Sequence, residues 1–151
     1  MPVVDNTKAQ ADGSSPLVAL LEVLAAPTAG YGHAVLASLS LVATTPRSAT
    51  FSLPLDASHL NPFGALHGAC AALLVDATTT LALVAAGCPP GSSVDLTTQY
   101  YSAAREGDVL TVVATVEKRG SSLAYTRCVG SVDGKEVFAG THVKFVREAK
   151  L

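Results

Sequence analysis

A chain of 151 residues is one domain, large enough to bury a good core and too small to divide into two comfortable ones. It is 49% hydrophobic and only 15% charged, so part of its surface is expected to be covered, most simply by a second copy of itself. A formal charge of -2 with scattered basic residues gives no footprint for nucleic acid.

Cys70, Cys88 and Cys128 are odd in number and widely spaced, so they read as reduced thiols rather than a disulfide frame or zinc site. Residues 1–14 are polar and poor in large apolar side chains; a disordered lead is expected there, followed by a single domain over 15–151. This lead lacks the pattern of a signal peptide and is not Arg-rich like a transit peptide, which points to a cytoplasmic address, with a mitochondrial one kept open.

Ser15-Pro16 is an N-cap and first-turn pair, and Leu17, Leu20, Leu21 and Leu24 follow at helical spacing, predicting a short helix that ends near Ala26-Pro27. After Gly30-Tyr31-Gly32, alternating apolar positions predict a strand over Ala34 to Thr44. A second is predicted over Ala49 to Leu55, joined to the first by a turn at Thr45-Pro46-Arg47.

From Gly68 to Ala86 the chain is small and aliphatic, with Cys70, Thr78, Thr79 and Thr80 and a single charge, Asp76. The run approaches membrane-spanning length, but Asp76, the threonines and the lack of basic flanks favour a buried helix and no membrane span. Burying an unpaired carboxylate is expensive, so Asp76 marks the place to look for function. Gly87-Cys88-Pro89-Pro90-Gly91 ends the helix.

Beyond Ser93 the period is two: Val94, Leu96, Thr98 and Tyr100 on one face, then Leu110, Val112, Ala114 and Val116 in the next segment. A strand over Leu123 to Val132 follows, and Asp133-Gly134 signals a hairpin into Glu136 to Val146. A helix apolar all round needs covering on most sides. The expected architecture is therefore α+β: a hotdog fold, one long central helix wrapped by a curved, mostly antiparallel sheet of about six strands.

The segment N-P-F-G-A-L-H-G-A at 61–69, L-V-D at 74–76 and G-S-S-V-D-L at 91–96 resembles the hotdog-fold acyl-CoA thioesterases. It is most similar to the thioesterase-superfamily-member-2 type and more broadly to the phenylacetate-degradation type. G-D at 107–108, K-R-G-S-S-L-A at 118–124 and A-G-T-H-V-K-F at 139–145 continue the likeness in order. One departure is Ala69, where the family commonly has a second glycine after His67-Gly68.

Thioester hydrolysis needs an activated water or a nucleophilic carboxylate, donors for the oxyanion, and an apolar groove. A helix N-terminus supplies unsatisfied N–H groups and partial positive charge, so the Gly68 amide is the expected oxyanion donor. Asp76 lies nine residues past His67, roughly 13 Å along the helix and on its opposite side. The two can meet on one thioester only across an interface between antiparallel helices of two subunits, which makes an obligate dimer the expected unit.

The resemblance implies the same composite site, with assembly to a homotetramer, acyl-CoA as substrate and no cofactor or metal. It also implies Asp76 as general base or nucleophile, His67 polarising or positioning the thioester, Asn61 orienting the water or the loop, and Ser93 bonding near the carboxylate. Thr80, one turn beyond Asp76, is a further candidate for holding the water. Each has a structural alternative: a helix-start histidine for His67, a turn for Asn61, a strand entrance for Ser93, and hydroxyls bonded to helix carbonyls for Thr78 to Thr80. Lys118, Arg119, Ser121, Lys144 and Arg147 are candidates for the coenzyme A phosphates, with solvated strand ends as the alternative. The expected substrates carry medium or long fatty acyl groups, or aryl groups. An enoyl-thioester hydratase and a non-catalytic acyl-CoA binding module are the competing functions.

Overall fold

The computed structural model describes residues 15–146, so the expected disordered lead and Arg147 lie outside the described residues. Helix α1, Pro16–Ala25, opens with Pro16 after an extended Ser15 and buries Leu17 and Leu21, the inner face that its leucine spacing predicts. It stops at an extended Ala26 before Pro27.

The next segment departs from expectation. Residues 33–36 do not begin a strand but form a one-turn helix, α2 (His33–Leu36), and strand β1 starts only at Ser40, running to Thr45. The cause is Gly32, which caps α2 at φ 86 and accepts the Val35 and Leu36 N–H groups on its carbonyl. A Cβ at Gly32 would lie 2.8 Å from the Leu73 side chain, so the chain passes close over the central helix there and turns.

Strand β2 is Ser48–Pro54, helix α3 is Gly68–Ala85, and the remaining strands are β3 (Ser92–Tyr100), β4 (Val109–Arg119), β5 (Leu123–Val132) and β6 (Lys135–Phe145). They form one sheet in the order β1-β2-β4-β5-β6-β3, antiparallel at every pairing. Asp133 and Gly134 both take positive φ, 49 and 78, as the two-residue hairpin between β5 and β6 requires. The sheet curls about α3, and Phe51, Leu53, Leu110, Val112 and Phe138 fill the space between them.

Helix α3 is long and apolar enough to cross a membrane, yet 11 of its 18 residues are buried inside the fold, which makes it a core helix. It packs closely on β6. A Cβ at Gly140 would stand 2.6 Å from Val75 Cγ2 and 2.7 Å from the Thr97 carbonyl oxygen, so helix and sheet touch there with no room for a side chain.

β3 contains a bulge. Ser93 pairs with Lys144 and Asp95 pairs with Val143, leaving Val94 as the extra residue. Simple alternation predicts Val94 on the face of Leu96 and Thr98; instead it is 60% exposed. The bulge shifts the phase, so Ser93 pairs with Lys144 and its hydroxyl, on an exposed residue, reaches His142 Nε2 at 2.9 Å.

The Gly140 contact predicts that Gly140→Ala lowers stability by roughly 2 kcal/mol, because one of the clashing atoms is backbone that cannot swing away. Gly107, at φ 87 with open space around it, is the comparison: Gly107→Ala should cost about 1 kcal/mol, from backbone strain alone. Denaturant midpoints at constant m-value would show the order, and a Gly140→Ala midpoint equal to wild type would refute the close-contact reading.

Candidate active site

The loop leading to α3 is held at several points. Asp56 accepts the Ser58 N–H on its carboxylate, and the buried His59 accepts the Asp56 N–H on Nδ1, with its Nε2 3.2 Å from the Val35 carbonyl. The His59 and Ala104 carbonyls then take the N–H groups of His67 and Leu66 at 2.9 and 2.8 Å. Asn61 accepts the Phe63 and Ala65 N–H groups on Oδ1, closing the turn before the helix. Its carbonyl oxygen is thus committed to the loop.

His67 is the N-cap of α3, extended at φ -66 and ψ 132, and its Nδ1 accepts the Ala69 N–H at 3.0 Å. A neutral His67 ring therefore carries its proton on Nε2, on an exposed side chain. The Gly68 N–H is the first of the helix and has no hydrogen-bond partner among the described residues. The Tyr100 hydroxyl donates to the Gly68 carbonyl at 3.0 Å, tying the edge strand β3 to the helix start. Ala69 needs no glycine: its amide serves the cap and its side chain is exposed. Asn61, Leu66, Gly68, Ala71, Tyr100 and Phe138 line a cleft of about 280 Å³ at this end of the helix.

Two turns further on, Asp76 is 48% exposed at its side chain, beside a row of buried polar groups. Thr78, Thr79 and Thr80 each donate to the carbonyl four residues back, at 2.6, 2.7 and 2.7 Å. Since the Thr79 proton is engaged with Val75, its oxygen accepts from His142 Nδ1 at 2.8 Å. A neutral His142 then accepts on Nε2, where the Ser93 hydroxyl lies at 2.9 Å. The same nitrogen is 3.8 Å from Asp76 Oδ1. Burial, with the nearby Lys144 ammonium, holds His142 below the ordinary histidine value against the pull of Asp76 and Asp95, so the neutral ring is the form this environment favours.

The structure brings Asn61, His67 and Gly68 together at one end of α3, and Asp76, Ser93 and Thr80 to the region from its midpoint onward. Lys118, Arg119 and Ser121 stay exposed at the β4–β5 connection. Lys144 is placed otherwise than expected. It is only 4% exposed, because its position on β6 faces the helix, and its Nζ donates to Thr80 Oγ1 at 2.6 Å, away from any surface phosphate position. Thr80 in turn is occupied between Lys144 and the Asp76 carbonyl.

His142 was not singled out by the sequence. Its signal was available only with the register in hand: His142 and Lys144 alternate onto the same inward face as Gly140, where apolar residues are the norm. Cys70 and Cys128 are no rivals as nucleophiles, since burial pushes their thiols up to about 11 and about 12. Among the described residues no group of three or more His, Cys, Asp or Glu is placed to hold a metal ion.

A family model described as the thioesterase superfamily matches residues 63–139. A Homo sapiens protein, acyl-coenzyme A thioesterase 13, is 34% identical over 113 residues, covering 73% of this chain and 81% of the relative. The crystal structure of thioesterase superfamily member 2 from Mus musculus superposes with a TM-score of 0.74 at 31% identity, covering 87% of this chain and 98% of that one. The zebrafish thioesterase superfamily member 2 structure gives a TM-score of 0.78 at 29% identity, covering 85% and 94%. The matched model spans both the His67-Gly68 helix start and Asp76, and the chain that carries them belongs to the thioesterase superfamily.

Proposed function

We propose that the protein hydrolyses acyl-CoA to a free acid and coenzyme A, in sites shared between two copies of the chain. One observation carries the reading: an unpartnered Gly68 N–H at the start of α3 and a half-exposed carboxylate eight residues later on the same helix. Each is what thioester hydrolysis needs, and roughly 12 Å of helix separates them. A relative of this chain is named as an acyl-coenzyme A thioesterase, which supports the substrate class.

Two antiparallel α3 helices related by a twofold axis near Ala72, midway between Gly68 and Asp76, would bring each carboxylate level with the other helix's amide. Ala69 and Ala72 are small enough for a close crossing. β3 is an edge of the sheet, with Val94 and Tyr100 exposed, and offers the strand by which two sheets would join.

In that site the thioester carbonyl sits on the Gly68 N–H, with His67 Nε2–H as a second donor. Asp76 of the partner subunit accepts a proton as water attacks the carbonyl carbon. The tetrahedral oxyanion is held by the two donors, and its collapse breaks the C–S bond, with the departing thiolate taking up the proton. Direct attack by the carboxylate would use the same placement; a single turnover in labelled water separates the two by whether label enters Asp76 or only the product acid. Ser93 and His142 hold a polar wall against Asp76. Ala65, Leu66, Ala71, Val137 and Phe138 in the adjoining cleft suit medium or long acyl groups, or aryl groups.

Thiol release from a panel of acyl-CoAs should occur with wild type and fall about a hundredfold or more in Asp76→Asn and in Gly68→Pro. Proline suits the first helical position after an extended residue; it removes the N–H, puts a methylene in its place, and its Cβ meets the Tyr100 hydroxyl at about ordinary contact, 3.4 Å. Mixing the two inactive proteins under subunit exchange should restore roughly a quarter of wild-type activity, since half the dimers then hold one intact site. No recovery in verified mixed dimers would sink the shared-site arrangement.

The rate should be flat from about pH 7 to 8 and fall only in acid, below the ordinary histidine value of 6.5. The sign follows from His142, which is held below that value and so stays neutral near pH 7; once protonated, its ring would pair with Asp76. A rate that rises on acidification would contradict this.

A further inference from the structure

Lys144 is a buried cation that the reaction above does not use. It stands at the end of β6, paired in register with Ser93 and Ala124, and its side chain turns in toward α3. Isolated ammonium groups are rarely buried, because they give up water that a protein interior does not replace. Here the replacement is specific. The Thr80 hydroxyl sends its proton to the Asp76 carbonyl at 2.7 Å, leaving its oxygen free to accept from Lys144 Nζ at 2.6 Å. The ammonium is thereby fixed to the helical turn that begins at Asp76.

Titratable groups of the candidate site lie on the elements around it. On β6, two residues back and on the same face, is His142, which the ammonium disfavours in its charged form. On α3 is Asp76, whose charge opposes the effect of burial on Lys144. On β3 is Asp95, which acts on His142 in the same sense as Asp76. Two acidic groups thus favour a charged His142, while burial and Lys144 oppose it. Burial is the larger of the two opposing effects and Lys144 adds to it; loss of Lys144 would move the balance toward a charged imidazole 3.8 Å from Asp76, which would pair with the carboxylate.

We propose that Lys144 is a positioning residue of this site: its ammonium, anchored through Thr80, keeps Asp76 free as a carboxylate by keeping His142 an uncharged imidazole. The inference rests on the thioesterase reading for its consequence in catalysis, but its electrostatic content can be measured without turnover. The bland alternative is a lysine that only fills space beneath the sheet, and the two part company over pH.

The test compares wild type with Lys144→Met, similar in length but uncharged, and with Lys144→Arg, which keeps the charge. Titrating the His142 ring by NMR in the intact protein should show its midpoint raised by about one pH unit in Lys144→Met and close to wild type in Lys144→Arg. The acidic limb of kcat/KM should move up in pH by the same amount in Lys144→Met, while the rate on its plateau changes less than tenfold. An unmoved His142 titration in a folded Lys144→Met protein overturns the proposal, as does activity lost equally at every pH. If Lys144→Met does not fold, Thr80→Val supplies the second reading: it removes the anchor but keeps the charge, and an unaltered acidic limb there refutes the anchoring role. A wild-type protein that cleaves no acyl-CoA would defeat the thioesterase reading alone, since the NMR titration still decides the role of Lys144.

Discussion

A helix packed inside a curved sheet still leaves two polar groups of its own accessible, its first N–H and Asp76, and the rest of the molecule is built around that helix. α3 does this with its N-terminus and its one open stripe. Its N-terminal amide has no intrahelical partner by the geometry of any α-helix, so the end of α3 is polar even though its body is apolar. The stripe through Ala69, Ala72 and Asp76 escapes the sheet, while Val75 and Thr79 lie hard against β6. Packing the helix and exposing its carboxylate are therefore done by different faces of one element.

The polar groups that enter the core obey a strict accounting. Each of the three consecutive threonines gives its proton to a helix carbonyl, and two of them then have an oxygen to offer to β6. That leaves His142 and Lys144 with acceptors in a region where water would otherwise be needed. The donor directions follow from the threonine back-bonds, so the neutral tautomer of His142 is determined by residues with no charge at all. Hydrogen bonding and charge meet here: of the two strand positions that satisfy the threonines, His142 stands 3.8 Å from the Asp76 carboxylate and Lys144 bonds the hydroxyl one turn beyond it.

Much of this was legible in the sequence because it rests on local rules. The Ser15-Pro16 start, the Asp133-Gly134 hairpin, the boundaries of α3 and the isolation of Asp76 from His67 all follow from propensity, turn chemistry or helical pitch, and the architecture follows from an all-apolar helix that needs a wrapping. Three features were not legible. Residues 33–36 alternate like a strand, but the packing of Gly32 on Leu73 forces a turn that no periodicity records. Val94 was grouped on one face with Leu96 and Thr98 because a bulge is invisible to strict alternation. Lys144 looked like a strand-end cation because its inward direction depends on register with β3 and β5 and on a hydroxyl 64 residues away. Local order is written in neighbours; these depend on partners distant in the chain.

The bulge at Val94 also gives β3 a change of phase. Its first two residues keep step with the Lys144 end of β6, whereas Asp95 to Tyr100 keep step with the rest of that strand. The strand is in effect two short pieces spliced out of register, and the splice lets a serine and a leucine three positions apart share one face. A loop graft that shortens the connection just before β3 by one residue, and so pulls the bulge flat, would bring Val94 opposite Lys144 in place of Ser93. The inner wall would then lose its hydroxyl and gain a valine while every backbone pairing could still form, a failure that a count of strands or of hydrogen bonds would not reveal.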